Sequence, residues 1–572
     1  MRTLLTTLHS KYIHPSLALP SLAAFCREGC GELLIREFTI HEPKENILAL
    51  LLQEDPDVIA FSVYLWNRRE TFELIDLLHA AKPDIHLVIG GPEVSFEPPE
   101  LLARHPGLDV IIRGEGELPL RELLQELLAG AAPTSIPRTL RRLDGAAVEG
   151  PGGPVLDDLD LIPSPFEAGL VDVLRGFVYL ETSRGCPYRC AFCMSALDDR
   201  VRSFSMPRIE SDLCWLMRHE VPKIKLVDRT FNYHPERARE IFRYILRHNR
   251  KSHFHFEIGA HLLDRETLAL LGEVPPGMFQ FEIGVQSTLD TTLETIGRQV
   301  DRQRLEENLA DLQSLTRIDL HLDLIAGLPG ESLGDFLGSI DRVMAGNPEH
   351  LQIEPVKLLP GSPLRAQAAE LGIVFDPNPP YTVLKTPRLS LTDLQLLNNL
   401  SRILDQSWNH GRLKRMLRQL GKIESGFAAG LKKLTAWWQG QGLFRHPLSL
   451  EGIFLASWEF IDQSYAGADR ETLRLAIGRD YALCNRVLPG KHPPFFDTEL
   501  TAEERQLVNA RIRKERDDCR GQGIKLQHFA AVFEARQAAD QRDLLLFIYR
   551  TRNGQGMRVS ELNLSSESSR SA

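Results

Sequence analysis

The chain has 572 residues, 43% hydrophobic and 25% charged, with a net charge of -10. This is the composition of a folded globular protein with length for roughly three or four domains. It excludes a surface that binds polyanions everywhere. Lys11 and His14 interrupt the apolar stretches of the first 25 residues. That start makes a poor secretory signal, and no run approaches the roughly 20 apolar residues of a membrane span. Eight cysteines are too few for a disulfide scaffold, and three of them sit within eight positions, which points to metal binding in a reducing cytoplasm.

In chain order, "DVIAFSVYLW" (57–66), "IHLVIGG" (85–91) and "LDVIIRGEGE" (108–117) read as buried parallel strands. Between the first two, residues 68–83 have helical spacing, with Phe72, Leu74, Ile75, Leu77 and Leu78 on the apolar side. Strand, helix, strand with Gly-rich loops predicts a doubly wound α/β domain over 1–135, whose ligand sits at the carboxyl ends of the strands. Residues 136–175 are rich in Pro and Gly and read as a linker. Six candidate strands then alternate with helices over 176–375, from "GFVYLETS" to "HLQIEPVKLLPG". They predict a partial (β/α)6 TIM-type barrel with its function at the strand C-termini. Residues 376–572 are expected to be mostly helical, with "RDLLLFIYR" as a strand and a polar, disordered tail from 563. Within it, residues 386–572 carry 28 Lys+Arg against 21 Asp+Glu, about +7, so the remainder carries about -17. The excess concentrates in "RLKRMLRQLGK" (412–422) and "RIRKER" (511–516), which are either solvated helix faces or a footprint for RNA.

The chemistry concentrates in "ETSRGCPYRCAFCMS" (181–195), where Cys186, Cys190 and Cys193 follow a predicted strand. Three thiolates can hold a [4Fe–4S] cluster by three irons and leave the fourth open. A zinc knuckle completed by Cys214 or a histidine is the other reading.

The motif resembles the radical S-adenosylmethionine (SAM) superfamily, whose fold is a partial (β/α) barrel. The resemblance implies that Cys186, Cys190 and Cys193 bind the cluster and that SAM chelates the open iron. It places Phe192 near adenine, and Glu257, Gln286, Ser287, Arg298 and Ala326 (in "LIAGLPGE") along SAM. Asp228, Asn232, Tyr188 and Glu354 are further candidates for substrate or SAM contacts, or for packing. Upstream, "VIGGPEVSFEPPELLARHPGLDVIIRGEGELPLRELL" resembles the cobalamin-binding domain of B12-dependent radical SAM proteins. By that resemblance Ser62, Tyr64, Trp66, Gly90, Gly91, Pro92, Glu93, Gly114, Glu115 and Gly116 line the cobalamin site, with His9, Tyr12 and His14 also near the corrin. The domain lacks the Asp-x-His-x-x-Gly motif that supplies an axial histidine, so the implied methylcobalamin is base-off without a histidine ligand.

What the resemblance implies for activity is methyl transfer to an unactivated carbon. An adenosyl radical takes a hydrogen and methylcobalamin supplies the methyl. The basic helices point to a tRNA nucleoside as acceptor, with Lys414, Arg415 and Arg418 on RNA phosphates. The alternatives are a small molecule or peptide that is methylated, cyclised or rearranged, and a cobalamin and Fe–S sensor without turnover. A low-potential electron donor such as flavodoxin or ferredoxin is the expected partner, with no membrane involved.

Overall fold

The computed structural model describes residues 1–572 except 13, 132–134, 198–199, 489, 535–541, 553–555 and 566–572. The chain divides into two compact units. One is Met1–His321 with Gly327–Glu331 and Pro355–Ser390, and the other is Leu322–Ala326 and Ser332–Glu354 with Leu391–Ala572.

The first unit opens with β1 (Arg2–His9), β2 (Glu32–Thr39), β3 (Val58–Ser62), β4 (His86–Gly90), β5 (Leu108–Ile112), β6 (Thr139–Leu143) and β7 (Ala146–Glu149). They form one sheet in the order β2-β1-β3-β4-β5-β6-β7. The first five strands pair in parallel. β1 is buried along almost its whole length, because helices cover both faces of the sheet. The helix Arg68–Ala81 buries Phe72, Leu74, Ile75 and Leu78, a face worth about 1.5–3 kcal/mol per large side chain. With β2-β1-β3 as the order, the direction of winding reverses between β1 and β3. The crevice there opens beyond His9 and Ser62.

Two expectations need correcting. Residues 139–149, read as linker, form an antiparallel hairpin that extends the sheet beyond β5. β6 carries Leu140 into the core, and the short strands hid this because Pro and Gly flank them. β1 and β2 are strands beyond those the alternation predicts, since short apolar runs such as "RTLLTTLH" and "ELLIREFT" carry no period that separates strand from helix.

β8 (Val178–Leu180), β9 (Ser183–Arg184), β10 (Arg202–Ser203), β11 (Lys223–Leu226), β12 (His253–Glu257), β13 (Phe279–Gln286), β14 (Asp319–Ala326) and β15 (His350–Pro355) follow. The six longer ones make a sheet of order β15-β14-β13-β12-β11-β8, at the six places the alternation predicts. β9 and β10 form a separate two-stranded antiparallel ladder. Phe254, Phe256, Phe279 and Phe281 alternate with polar residues; the last three pack on Phe231 or Phe242, and Phe254 packs on Phe256 and Phe279. The period of two therefore gives each strand one apolar and one polar face.

In the second unit, helices Leu391–Gln406, Lys414–Ile423, Phe427–Gly440, Leu450–Ser464, Gly467–Cys484 and Ala502–Asp518 precede a three-stranded antiparallel sheet. That sheet, Ile524–Glu534, Arg542–Arg552 and Arg558–Asn563, is more than the single strand expected. Leu564 is buried, and Ser565 Oγ accepts from Leu544 N at 2.9 Å, so the start of the expected tail belongs to the fold. Residues 566–572 of that tail lie outside the described residues. Trp438 is core, while Trp437 lies half-buried against Phe460. Among the described residues, no helix is long and apolar enough to cross a membrane.

One glycine of the first sheet is fixed by sterics. Gly91 has φ +110°, and a Cβ there would stand 2.6 Å from the Val63 carbonyl oxygen. Gly91→Ala is expected to lower the stability of the first unit by about 1–3 kcal/mol. The lower-midpoint transition in urea, followed by circular dichroism, measures it.

Candidate active site

The loop that carries the thiols begins where β8 ends, and its base is fixed by a buried carboxylate. Asp228, fully buried after β11, accepts from Thr182 N at 3.1 Å and from the hydroxyls of Thr182 and Ser183. Asp228 is thus a structural anchor. Asn232 is committed in the same way, donating to Gly259 O and accepting from Gly259 N. Gly185 then turns the chain with φ +87°, which a side chain would oppose. Cys186 and Cys190 are buried and Cys193 is half-buried.

Cys186 Sγ lies 3.5 Å from Thr230 Oγ1, and Arg298 Nη1 donates to Cys190 Sγ at 3.6 Å. Burial pushes the Cys190 thiol up. Arg298 pulls it back through its charge and its hydrogen bond, and the neighbouring thiols of Cys193 and Cys186 raise it again. Backbone bonds from Ala191 N to Ile296 O and from Leu364 N to Ala191 O, both 2.8 Å, pin the loop.

Among the described residues, no three His, Cys, Asp or Glu converge on one point as a single metal ion requires. Cys214 sits on the helix Met206–Arg218, hydrogen-bonded to Tyr244. A cubane takes each thiol on a different iron, so three thiols spread along one pinned loop, with a guanidinium beside them, fit that group.

Arg298 also donates to Gly284 O on β13. Gln286, at the end of that strand, holds φ +66°, and its buried Oε1 has no hydrogen-bond partner in the protein. A non-glycine residue in the left-handed region with an unsatisfied amide oxygen marks a site built for something else to bind. Ser287 is buried and donates to Glu331, so it positions the strand end. Phe192 and Glu257 are half-buried. Ala326 and Glu354 belong to the second unit. Tyr188, inside the cysteine motif, bonds His261 Nε2 at 2.7 Å. Burial, then the charges of Arg298 and Arg304, hold His261 down at about 4, so its imidazole is neutral.

The polar faces of the barrel strands form a network that single-residue reasoning missed. Tyr179, Lys225, His255 and Gln280 stand in one row across β8, β11, β12 and β13. His255 Nε2 donates to Glu282 at 2.7 Å, and Lys225 Nζ donates to the same oxygen at 3.3 Å. Burial opposes the Glu282 charge, but the His255 hydrogen bond and the Lys225 and His321 charges prevail and hold it at about 2. The signal was the alternation in "KIKL", "HFHFE" and "FQFEIGVQ".

In the N-terminal domain, Tyr64 and Trp66 stack at 4.6 Å just beyond β3, and Trp66 is 40% exposed. An exposed aromatic platform at the point where the winding reverses fits a flat cofactor. Buried His9 faces Glu37 at 3.5 Å, and Glu37 also pairs with Arg175. Tyr12 lies exposed under Arg175, and His14 Nδ1 is 3.4 Å from Tyr179 Oη. The carbonyl of Ser62 is taken by Thr7 and Asn67. Gly90 O accepts from Val63 N at 2.8 Å, and Pro92 follows Gly91 in the same turn. Buried Glu93 is occupied by Tyr381 and Arg68, which makes it an anchor. Ser95 joins the two glycine loops, donating to Gly91 O and accepting from Gly114 N. Gly116 starts the helix Glu117–Leu128. Glu115 is bound by Arg202 and Arg184.

In the second unit, the basic helix uses part of its charge internally, while Arg418 and Lys422 stay exposed. Arg415 pairs with Asp480 at 3.3 Å and Glu561 at 3.8 Å. Lys414 and Arg418 lie over the Trp408 ring at 5.0 and 5.1 Å.

Comparison with known proteins adds to this geometry. Residues 4–124 match the B12 binding domain, 180–343 the Radical SAM superfamily and 369–539 a protein family of unknown function, DUF4080. Over 335 residues the chain is 32% identical to 2-(S-pantetheinyl)-carbapenam-3-carboxylate methyltransferase of Streptantibioticus cattleyicolor, covering 54% of this chain and 48% of that protein. It is 30% identical over 334 residues to the cobalamin-dependent radical SAM methyltransferase TokK of Streptomyces tokunonensis, with the same coverage of 54% and 48%. The chain thus spans about half the length of these relatives. The solved structure of the cobalamin-dependent radical enzyme OxsB with aqua-cobalamin shares the fold. Its TM-score is 0.61 at 17% identity, over 84% of this chain and 81% of that one.

Replacing Cys186, Cys190 or Cys193 by Ala is expected to remove most iron and sulfide from anaerobically reconstituted protein. Cys214→Ala should leave both unchanged, as iron and acid-labile sulfide assays would register.

Proposed function

We propose, from the premise that this chain belongs to the radical SAM superfamily and carries a B12-binding domain ahead of it, that it transfers a methyl group to an unactivated carbon. The observation that carries this reading is the pinned three-thiol loop, with Arg298 on Cys190, in the same compact unit as the B12-binding domain. When bound, the cluster supplies the electron that cleaves SAM, and cobalamin supplies the methyl group.

The residues of the chain bind and orient. Cys186, Cys190 and Cys193 hold the cluster. Arg298, fixed by Gly284 O, would keep a positive charge beside the cluster and bind the SAM carboxylate. The Oε1 of Gln286, without a partner in the protein, would accept a hydrogen bond from SAM, with Phe192 and Glu257 on the same side. Tyr64 and Trp66 give cobalamin a flat wall, and the loops of Gly90–Gly91 and Gly114–Gly116 border it. The donor-lined row of Tyr179, Lys225 and His255 receives polar groups of the acceptor. A low-potential donor such as flavodoxin or ferredoxin is the electron-transfer partner.

For the acceptor, a small molecule is favoured over a tRNA nucleoside, because Arg415 at the centre of the expected footprint is ion-paired within its own unit. The RNA reading keeps one support, the exposed Arg513, Lys514 and Arg516 on the helix Ala502–Asp518.

Two measurements check these readings. Reduced, reconstituted enzyme should release 5'-deoxyadenosine over several turnovers from SAM, and Cys190→Ala should abolish it. Mass spectrometry of tRNA nucleosides from cells with and without the gene should show no difference. A nucleoside that gains a methyl only when the gene is present would make tRNA the acceptor.

A further inference from the structure

The base of the thiol loop and the second glycine loop of the N-terminal domain are held by one charge cluster. Arg184, two residues before Cys186, reaches Glu117 at 2.8 Å, Glu115 at 3.5 Å and Glu181 at 2.9 Å, and its side chain is only 14% exposed. Arg202, its partner across the β9–β10 ladder, grips both oxygens of the Glu115 carboxylate. From the other side, Arg138 donates to the carbonyls of Arg113 and Glu115 at 3.0 and 2.8 Å. Burial opposes the charge of Glu115, and the hydrogen bond from Arg202 with the charges of Arg184 and Arg202 outweighs it, so the carboxyl stays ionised. These are buried, multiply bonded ion pairs, for which a shift of one partner leaves a charge uncompensated.

We infer that Arg184 is a positioning residue that couples the two cofactor sites, so that ordering the thiol loop around its cluster tightens cobalamin binding at the Arg113–Glu117 loop, and the reverse. The inference rests on the cobalamin and cluster reading above. Its mechanism is geometric. Arg184 and Arg202 share Glu115, so displacement of the 113–117 loop pulls on the backbone two residues from Cys186. Glu115 and Glu117 then act through the arginines and do not touch the cofactor. Linkage requires the effect to be reciprocal.

The test uses the full chain in two states, with the cluster reconstituted and with iron stripped, and titrates hydroxocobalamin by visible absorbance. Wild type is expected to bind at least about fivefold tighter when reconstituted, the lower end of common coupling strengths. In Arg184→Gln the ratio should fall to about one, and in Glu117→Gln, which removes one of the three carboxylate partners of Arg184, it should fall part of the way, while both forms still bind. Arg184→Lys, which keeps the charge but loses the fork, should retain part of the ratio. Added cobalamin should slow loss of the cluster to a chelator in wild type and not in Arg184→Gln. Should Arg184→Gln not fold, Glu117→Gln carries the comparison, since it leaves the pairs of Arg184 with Glu115 and Glu181 in place. A wild-type ratio of one, or an undiminished ratio in the variants, overturns the coupling. A wild type that binds no hydroxocobalamin in either state overturns the cobalamin reading, and the coupling with it.

Discussion

Arg184 cannot leave its place without stranding carboxylates in a part of the protein that water scarcely reaches. Burial works against its charge, yet Glu181, Glu117 and Glu115 hold its guanidinium far above the ordinary arginine range. Everything near the thiols is arranged around that fixed point. β9 and β10 are only two residues each, too short to be stable alone. They persist because their arginines are tied to the first domain. The loop after Arg184 leaves through Gly185 with its direction already set, and Asp228 fixes the residues just before it.

The same logic separates the two faces of the barrel strands. Outside, phenylalanines pack on one another and supply the core. Inside, Lys225, His255, Gln280 and Glu282 satisfy each other's hydrogen bonds. A charged layer in a barrel interior is costly unless every member is paired. The low position of Glu282 is the measure of how fully it is compensated.

Much of this was legible in the chain. The six barrel strands, three of the N-terminal strands and the cysteine loop fell where alternation and spacing placed them. Strands β1 and β2 and the hairpin of β6 and β7 did not. A short apolar run has no period of its own to separate strand from helix, and the hairpin became sheet only because β5 offered it an edge. Among site residues, Arg298 stands beside Cys190 and Gln286 keeps an unsatisfied oxygen. Glu93 and Glu115 instead turned out to be partners of Tyr381, Arg68, Arg184 and Arg202. The ion pairs of Arg415 were not legible in the basic helix, because its partners, Asp480 and Glu561, lie 65 or more residues away.

The sequence by itself determined the chemistry that depends on contiguous residues. Three thiols within eight positions, glycines at turns and apolar alternation along strands act through local geometry, which chain order specifies directly. Only the tertiary structure decided which charges are available to a ligand and which are consumed in the fold. An arginine or glutamate looks the same in the chain whether it faces solvent or a buried partner. Its partner is chosen by packing between segments, as for Arg202 and Glu115, 87 residues apart. A buried ion pair forms where folding brings two charges out of water together, and no local pattern records that meeting.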